Sequence, residues 1–488
     1  MNAPMTPTAL PSAFVPAPSK PTFAQRLRLT SSQVGLGLAL GLAVEVLLDG
    51  ARFGLGHALF AGLLGAAIAF NGGKEGWQRA GGHRWVLLGA VLLLSSTMLH
   101  ASTWLAVLSS LASVLLFAIA VQGWTGERPL SSLRTGQLLG WPFKTFGQSV
   151  YAGAIASSRG LDRAKVGDAV SRFGPGAMRL FFIVVPPALV LLGLLTSGDA
   201  VFRSRIGSIE ALFFGIPLSG FVRGAFVTVI SGVVLIGVIV MTARRRDGVK
   251  PSAPGRVLQG FESFALLGTL TTMLLAFGLT STPCALAPSS CELPAGVTFS
   301  EAAHEGFFQL LTAAIGILAL LMALPARTRL ESPTQTLAFK GLSTALVLAT
   351  MPMIVSGVTR LWRYELAYGL TVLRLMAYAG LLLVTAVLAW RALTLWTAER
   401  AFVGGALALC TSTLLGLALL APDAFITRRN LERGQVDLAY LVALSEDALA
   451  VLIEQGRLSG DTTLPSGEDP LLQWNLGRAR ARAALEAH

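Results

Sequence analysis

Residues Thr359–Arg374 read TRLWRYELAYGLTVLR, a stretch with three arginines, one glutamate and two tyrosines set between two apolar runs. Such a segment does not belong in hydrocarbon, where one charged side chain at a helix centre costs about 2.5–3.5 kcal/mol on insertion scales. It reads as a polar hinge at a membrane surface. Its neighbours, 337–357 and 370–390, are each long and apolar enough to cross a bilayer as a helix. The hinge between two spans decides the fold class: all-α, a polytopic bundle of transmembrane helices.

The rest of the composition agrees. Of 488 residues, 53% are hydrophobic and only 13% charged, about half the charge of a soluble domain. The net charge of +12 would suit nucleic acid if a basic soluble domain carried it. None is present, and the excess is assigned to arginines in cytoplasmic loops. Eleven apolar segments are predicted as spans, at 31–48, 53–70, 84–100, 103–123, 179–197, 222–243, 262–280, 307–324, 337–357, 370–390 and 402–420. With the N-terminus inside, Lys74, Arg79, Arg84, Arg244–Arg246, Arg327, Arg329, Lys340, Arg391 and Arg400 all fall on the inner side, as the positive-inside rule requires. The odd number then places the C-terminus outside. The apolar segment 206–221 is read as an interfacial or re-entrant helix, since a further span there would move Arg244–Arg246 outside.

Five regions follow. Residues 1–30 form a disordered cytoplasmic tail, rich in Pro, Ala and Thr, and 31–123 the N-terminal transmembrane hairpins. Residues 124–178 form a cytoplasmic amphipathic loop. Its WPFKTFGQSVYAGAIASSRGLDRAKVGDAVSRFG mixes aromatic and basic residues at helical spacing, which suits the inner leaflet or a protein partner. Residues 179–421 form the core transmembrane domain, and 422–488 an extracytoplasmic helical tail, in which Asp437 and Ser445 are placed to start helices.

Charged residues gather where loops are expected at the outer face: Asp199 and Arg203 in TSGDAVFRSR, Glu301, His304 and Glu305 in FSEAAHEGFFQL, Arg360, Arg363, Glu365, Tyr368 and Arg374 in the opening stretch, and Asn430 after the last span. Arg374 lies about one turn inside its span, so it must reach outward or pair, with Glu365, Glu305 or Asp199 within topological reach. Glu301, His304 and Glu305 share one helical face. Di-metal bundles need a second Glu-x-x-His and further glutamates, and none accompanies them. Cys284 and Cys291 share one short loop, STPCALAPSSCELPAG, where either a disulfide or, less well supported, a zinc pair is compatible with the spacing. The sequence has no HExxH, P-loop, GxSxG or paired CxxC motif, so no catalytic residue, cofactor site or metal site is assigned.

SGDAVF, EGFFQLL, RLWRYELAYGLTVLRL and PDAFITRRNLERGQVDLAYLVALSEDALAVL together resemble bacterial multi-pass membrane proteins grouped as domain-of-unknown-function family 4173 and its relative 4153. The resemblance runs over roughly residues 180–455 and is most specific at Ala367–Arg374 and Asn430–Leu441. It implies a bacterial integral membrane protein with no assigned activity and brings no catalytic residues; the expected location is the inner (cytoplasmic) membrane. The expected partners are the lipid bilayer and another envelope protein, met through the C-terminal tail or the 124–178 loop. A structural or regulatory membrane protein is the first functional reading. A transporter or flippase for an anionic lipid-linked substrate and an outer-face transferase or hydrolase are the alternatives.

Overall fold

The computed structural model describes residues 30–48, 52–126, 129–132, 135–162, 220–243, 258–286, 299–434, 437–458 and 469–487. The helices among them are α1 (Ser31–Leu48), α2 (Leu55–Asn71), α3 (Gly73–Ala80), α4 (His83–Ser96), α5 (Thr103–Trp124), α6 (Thr135–Asp162) and α7 (Gly220–Thr242). They continue as α8 (Gly260–Leu286), α9 (Phe299–Arg327), α10 (Pro333–Tyr368), α11 (Val372–Trp396) and α12 (Phe402–Leu420). A C-terminal group follows: α13 (Pro422–Glu432), α14 (Leu438–Val442), α15 (Glu446–Glu454) and α16 (Leu476–Glu486). The one sheet among the described residues is a parallel pair, β1 (Leu258–Gln259) with β2 (Thr328–Arg329), tied to α8 by a 2.8 Å hydroxyl pair, Ser263 with Thr328.

The all-α expectation holds, but the number of spans does not. Among the described residues six helices are long and apolar enough to cross a membrane, or seven if the sharply bent pair α2–α3 counts as one. Ten of the eleven expected segments coincide with helices, and 179–197 lies outside the described residues. For α4 the limit is length. α4 has 14 residues and extends about 21 Å, short of the roughly 30 Å of hydrocarbon. Leu87, Ala90, Leu93 and Leu94 pack among other helices while Trp85, Leu88 and Leu92 stay exposed, so the run reads as apolar throughout although the helix is short. The opposite error occurs at α10, where 36 unbroken residues reach about 54 Å. Arg360–Tyr368, expected as a loop, are its last turns.

Three apolar clusters organise the molecule. The first joins α2, α4, α5 and α7 through Leu64, Ile68, Leu93, Phe117, Trp124 and Ile239. The second joins α8–α11 through Leu267, Leu321, Leu346 and Leu388, and α12 lies against both α4 and α11. The third seats the C-terminal helices on one end of the bundle, with Ile426, Leu441 and Leu452 against Leu105, Leu370 and Leu417.

Helix association in lipid depends on close packing rather than on the hydrophobic effect, which favours small residues at contacts. α1 presents Gly37 and Gly41 to α7, and a Cβ on Gly41 would stand 2.6 Å from both the Thr228 carbonyl oxygen and the Gly232 Cα. On another face of α7, Gly237 meets the Ser149 backbone and Gly153 of α6 meets Val233. Residues 135–162, expected within an inner-surface loop, therefore form a helix packed along α7 and bonded to α5, where Gln122 Nε2 donates to Thr145 Oγ1 at 2.8 Å.

Gly41→Val and Gly237→Leu are each expected to destabilise the bundle by about 1–3 kcal/mol through overpacking. Gly62→Leu, at a position with no atom within 4 Å of the added Cβ, should be neutral. Thermal unfolding of the detergent-solubilised protein distinguishes the three.

Candidate functional site

The polar residues of the opening stretch assemble at the joint between the bundle and the C-terminal helices. α10 ends because Gly369 takes φ +75°, a conformation open to glycine at no steric cost. Its N–H still bonds the Glu365 carbonyl at 2.8 Å. Thr371 then caps α11, its hydroxyl accepting from the Arg374 N–H. Leu370, between the helices, and Val372, the first residue of α11, have backbone N–H groups with no helical partner. Asn430 of α13 bonds both backbone groups of Leu370: its Oδ1 accepts from the Leu370 N–H at 2.7 Å and its Nδ2 donates to the Leu370 carbonyl at 2.8 Å. The Tyr440 hydroxyl accepts from the Val372 N–H at 3.0 Å.

Beside this clasp, Glu365 is 6% exposed. Its carboxylate accepts from the Tyr378 hydroxyl at 2.8 Å, ion-pairs with Arg433 at 2.7 Å and lies 3.7 Å from Arg429. A buried carboxylate needs such pairing to remain charged. Arg374 does not take the carboxylate partner expected for it. Its guanidinium donates to the carbonyls of Tyr368 (3.1 Å) and Gly369 and stacks 4.2 Å from the Tyr364 ring centroid. The one-turn-inside position reaches the orphan carbonyls at the end of α10 before any acid.

A second polar layer joins the loop between α4 and α5 to the tail. Asp423 accepts from the Ser102 hydroxyl at 2.8 Å and the Trp104 indole at 3.4 Å. Asp447 accepts from the Ala101 N–H at 2.6 Å. Asn475 donates to the carbonyls of Thr97 (3.0 Å) and His100 (2.8 Å) while its Oδ1 caps α16. Farther out, the fully buried carboxylate of Asp469 holds Arg478 at 2.9 Å, Arg482 at 3.1 Å and Arg52 at 3.6 Å.

Of the site residues expected from sequence, Glu365, Tyr368, Arg374 and Asn430 meet at the α10–α11 turn. Arg360 and Arg363 lie on the last turns of α10, half-buried and each with partners. Asp199, Arg203 and Cys291 lie outside the described residues, as do the side chains of Glu301, His304, Glu305 and Cys284, whose backbones belong to α9 and α8. Among the described residues no group of three or more His, Cys, Asp or Glu side chains converges to hold a metal. Sequence reasoning grouped Asp423 with the charges after the last span, and missed Asp447, Asn475, Tyr378 and Arg433 as joint residues. Asn475 carried a signal, since asparagine is a favoured N-cap and it stands immediately before a helical run.

The sequence matches the family described as Domain of unknown function (DUF4153) over residues 87–455. The chain belongs to this family. No curated protein and no solved structure matches it. The DUF4153 match reaches back to residue 87, into α4, and so includes both the loop bonded by Asp423 and Asp447 and the turn bonded by Asn430. The α16 helix and its Asp469 contacts fall outside it.

Asn430→Ala would leave the buried N–H and C=O of Leu370 unpaired, at a cost of about 1–3 kcal/mol for each buried group left unsatisfied. Asn430→Asp, which keeps the acceptor and loses the donor, should fall between wild type and alanine in thermal unfolding.

The tail joint also titrates. Burial raises the Asp447 carboxyl from 3.8 to about 6, with Asp423 and Glu446 acting in the same direction and the Ala101 N–H and Arg480 opposing. Burial lowers His100 from 6.5 to about 4, against the Asp423 charge and the Ser102 backbone. Asp447 therefore favours the docked tail below pH 3.8 and loses that contribution as pH rises through about 6. His100 favours docking above pH 6.5 and loses its contribution as pH falls through about 4. The two slopes oppose, so wild-type docking should vary little with pH between 4 and 6. Asp447→Asn leaves the His100 slope alone, and limited proteolysis should then show the tail released progressively as pH falls from 6.5 to 4.

Proposed function

We propose that this chain is a structural or regulatory protein of a bacterial inner membrane, N-terminus inside, whose C-terminal helices form a fixed cap that presents a partner-binding surface on the outer side. The observation that carries this reading is the joint itself. The buried acids and amides of the described tail end bond the chain to itself, as a scaffold requires, instead of converging on a reactant. Exposed apolar residues remain on the cap, with Leu438 and Val442 one turn apart on α14, and Leu471 in the segment that leads into α16.

The orientation draws support from the helix directions. α2, α5, α7 and α11 run away from the cap, and the Asn71–Thr242, Trp77–Trp124 and Arg391–Glu399 contacts lie at their far ends. That end carries Lys74, Arg79, Arg84, Lys340 and Arg400, the bias expected of a cytoplasmic side. An eleven-span count would require 179–197 and the shorter apolar helices to cross as well.

A transport site for an anionic lipid-linked substrate, built on Arg360, Arg363 and Arg374, has less support, because Arg374 is committed to carbonyls and a tyrosine ring. An outer-face transferase or hydrolase would rest on Asp199, Glu301 and Glu305, to which the described side chains add nothing.

A photo-crosslinking amino acid at Val442 in the native membrane should give one discrete protein adduct, lost when Leu438 and Leu471 are both changed to glutamate. Adducts with lipid alone, or an adduct pattern indifferent to those changes, would count against the cap as a partner surface.

A further inference from the structure

At the end of the bundle opposite the cap, the chain leaves α2 and bends by 104° into α3. Asn71 fixes the bend to the end of α7, its amide donating to Thr242 Oγ1 at 2.9 Å and to the Ile239 carbonyl. α3, GKEGWQRA, turns Gly76 and Ala80 inward, Gly76 lying against the Trp124 indole. Its other side is open. Lys74, Glu75, Trp77 and Gln78 are exposed, and beside them Phe70 is 82% and Trp85 74% exposed. The Arg84 guanidinium lies 5.3 Å from the Trp77 ring centroid, and Arg79 Nε donates to the Glu75 carbonyl.

No single solvent suits this surface. Lys74, Glu75, Gln78 and Arg79 are too polar for hydrocarbon, while three large exposed aromatic residues are poorly placed in water. Tryptophan and basic residues together are at home at the headgroup level. A helix at nearly a right angle to a span lies in that plane. Lys74, Arg79 and Arg84 outnumber Glu75, and a positive interfacial helix is attracted to anionic lipid.

We propose that α3, with Phe70 and Trp85, is an in-plane interfacial helix seated among anionic lipid headgroups on the side of the membrane opposite the cap. This rests on the membrane reading above and goes beyond it by assigning a lipid-headgroup surface to named residues.

The test uses the full chain reconstituted in phosphatidylcholine vesicles with and without a third of phosphatidylglycerol. Tryptophan quenching by lipids brominated near the headgroup is compared with quenching by lipids brominated deep in the chain. The part of the signal lost in W77F/W85F should be quenched by the shallow lipid and much less by the deep one. Phosphatidylglycerol enriched in the annulus of the wild-type protein should be lost in K74Q/R84Q. Quenching by the deep lipid alone would overturn the proposal. So would a Trp77/Trp85 signal shielded from both lipids and from aqueous iodide, the mark of a protein-covered face such as a second copy of this chain. Unchanged enrichment in K74Q/R84Q would overturn the anionic-lipid assignment. Release of the protein from vesicles by alkaline carbonate would sink the membrane reading and this proposal together, whereas the other negative results leave the membrane reading standing.

Discussion

The backbone between α10 and α11 has polar groups that no helix can satisfy, and the arrangement of the cap follows from how they are met. Leu370 and Val372 lie where two long apolar helices meet, and an unpaired buried N–H or C=O there is costly. Asn430 and Tyr440 provide the missing partners from the tail. α13 must therefore lie across the turn, which places Arg429 and Arg433 beside Glu365 and seats Ile426 in the third apolar cluster. One unsatisfied turn thus fixes the position and register of the cap.

The same solution recurs one helix pair away. The connection between α4 and α5 exposes the N–H of Ala101 and the carbonyls of Thr97 and His100, and Asp447 and Asn475 of the tail bond them. At the start of α2, the Leu55 N–H bonds the Trp474 carbonyl at 2.9 Å. Three separate ends of the bundle are closed by one C-terminal segment, which is why the tail behaves as part of the fold. The opposing titrations of Asp447 and His100 have the same origin, since both groups are desolvated in the layer that makes this contact.

Much of this was legible in the sequence, and the illegible parts have definite physical causes. The all-α class and nearly all helix positions followed from hydropathy. Span number did not: among the described residues six helices, or seven with α2–α3 taken as one, are long and apolar enough to cross, and α4 carries an apolar run too short to do so. Glu365 and Arg374 of the opening stretch lie beside Asn430 of α13 at the α10–α11 turn. The conformation of the stretch was misread, since Arg360–Tyr368 prolong α10 and the turn is confined to Gly369–Thr371. Arg374, expected to reach outward or to pair with an acid, bonds backbone carbonyls instead, because the helix end offers them at close range. Asp447 and Asn475 went unrecognised as joint residues because their partners are backbone groups hundreds of residues away, and such pairs leave no pattern in one sequence.

The central claim is that the cap, the α10–α11 turn and the α4–α5 loop open as one unit. Native-state hydrogen exchange on the wild-type protein in nanodiscs tests it through four amides in loops or at helix starts, those of Leu55, Ala101, Leu370 and Val372. They should be protected as strongly as the α13 helix and lose protection together under mild denaturant. Exchange of these amides at the rate of exposed loops, or at four unrelated opening energies, would contradict it.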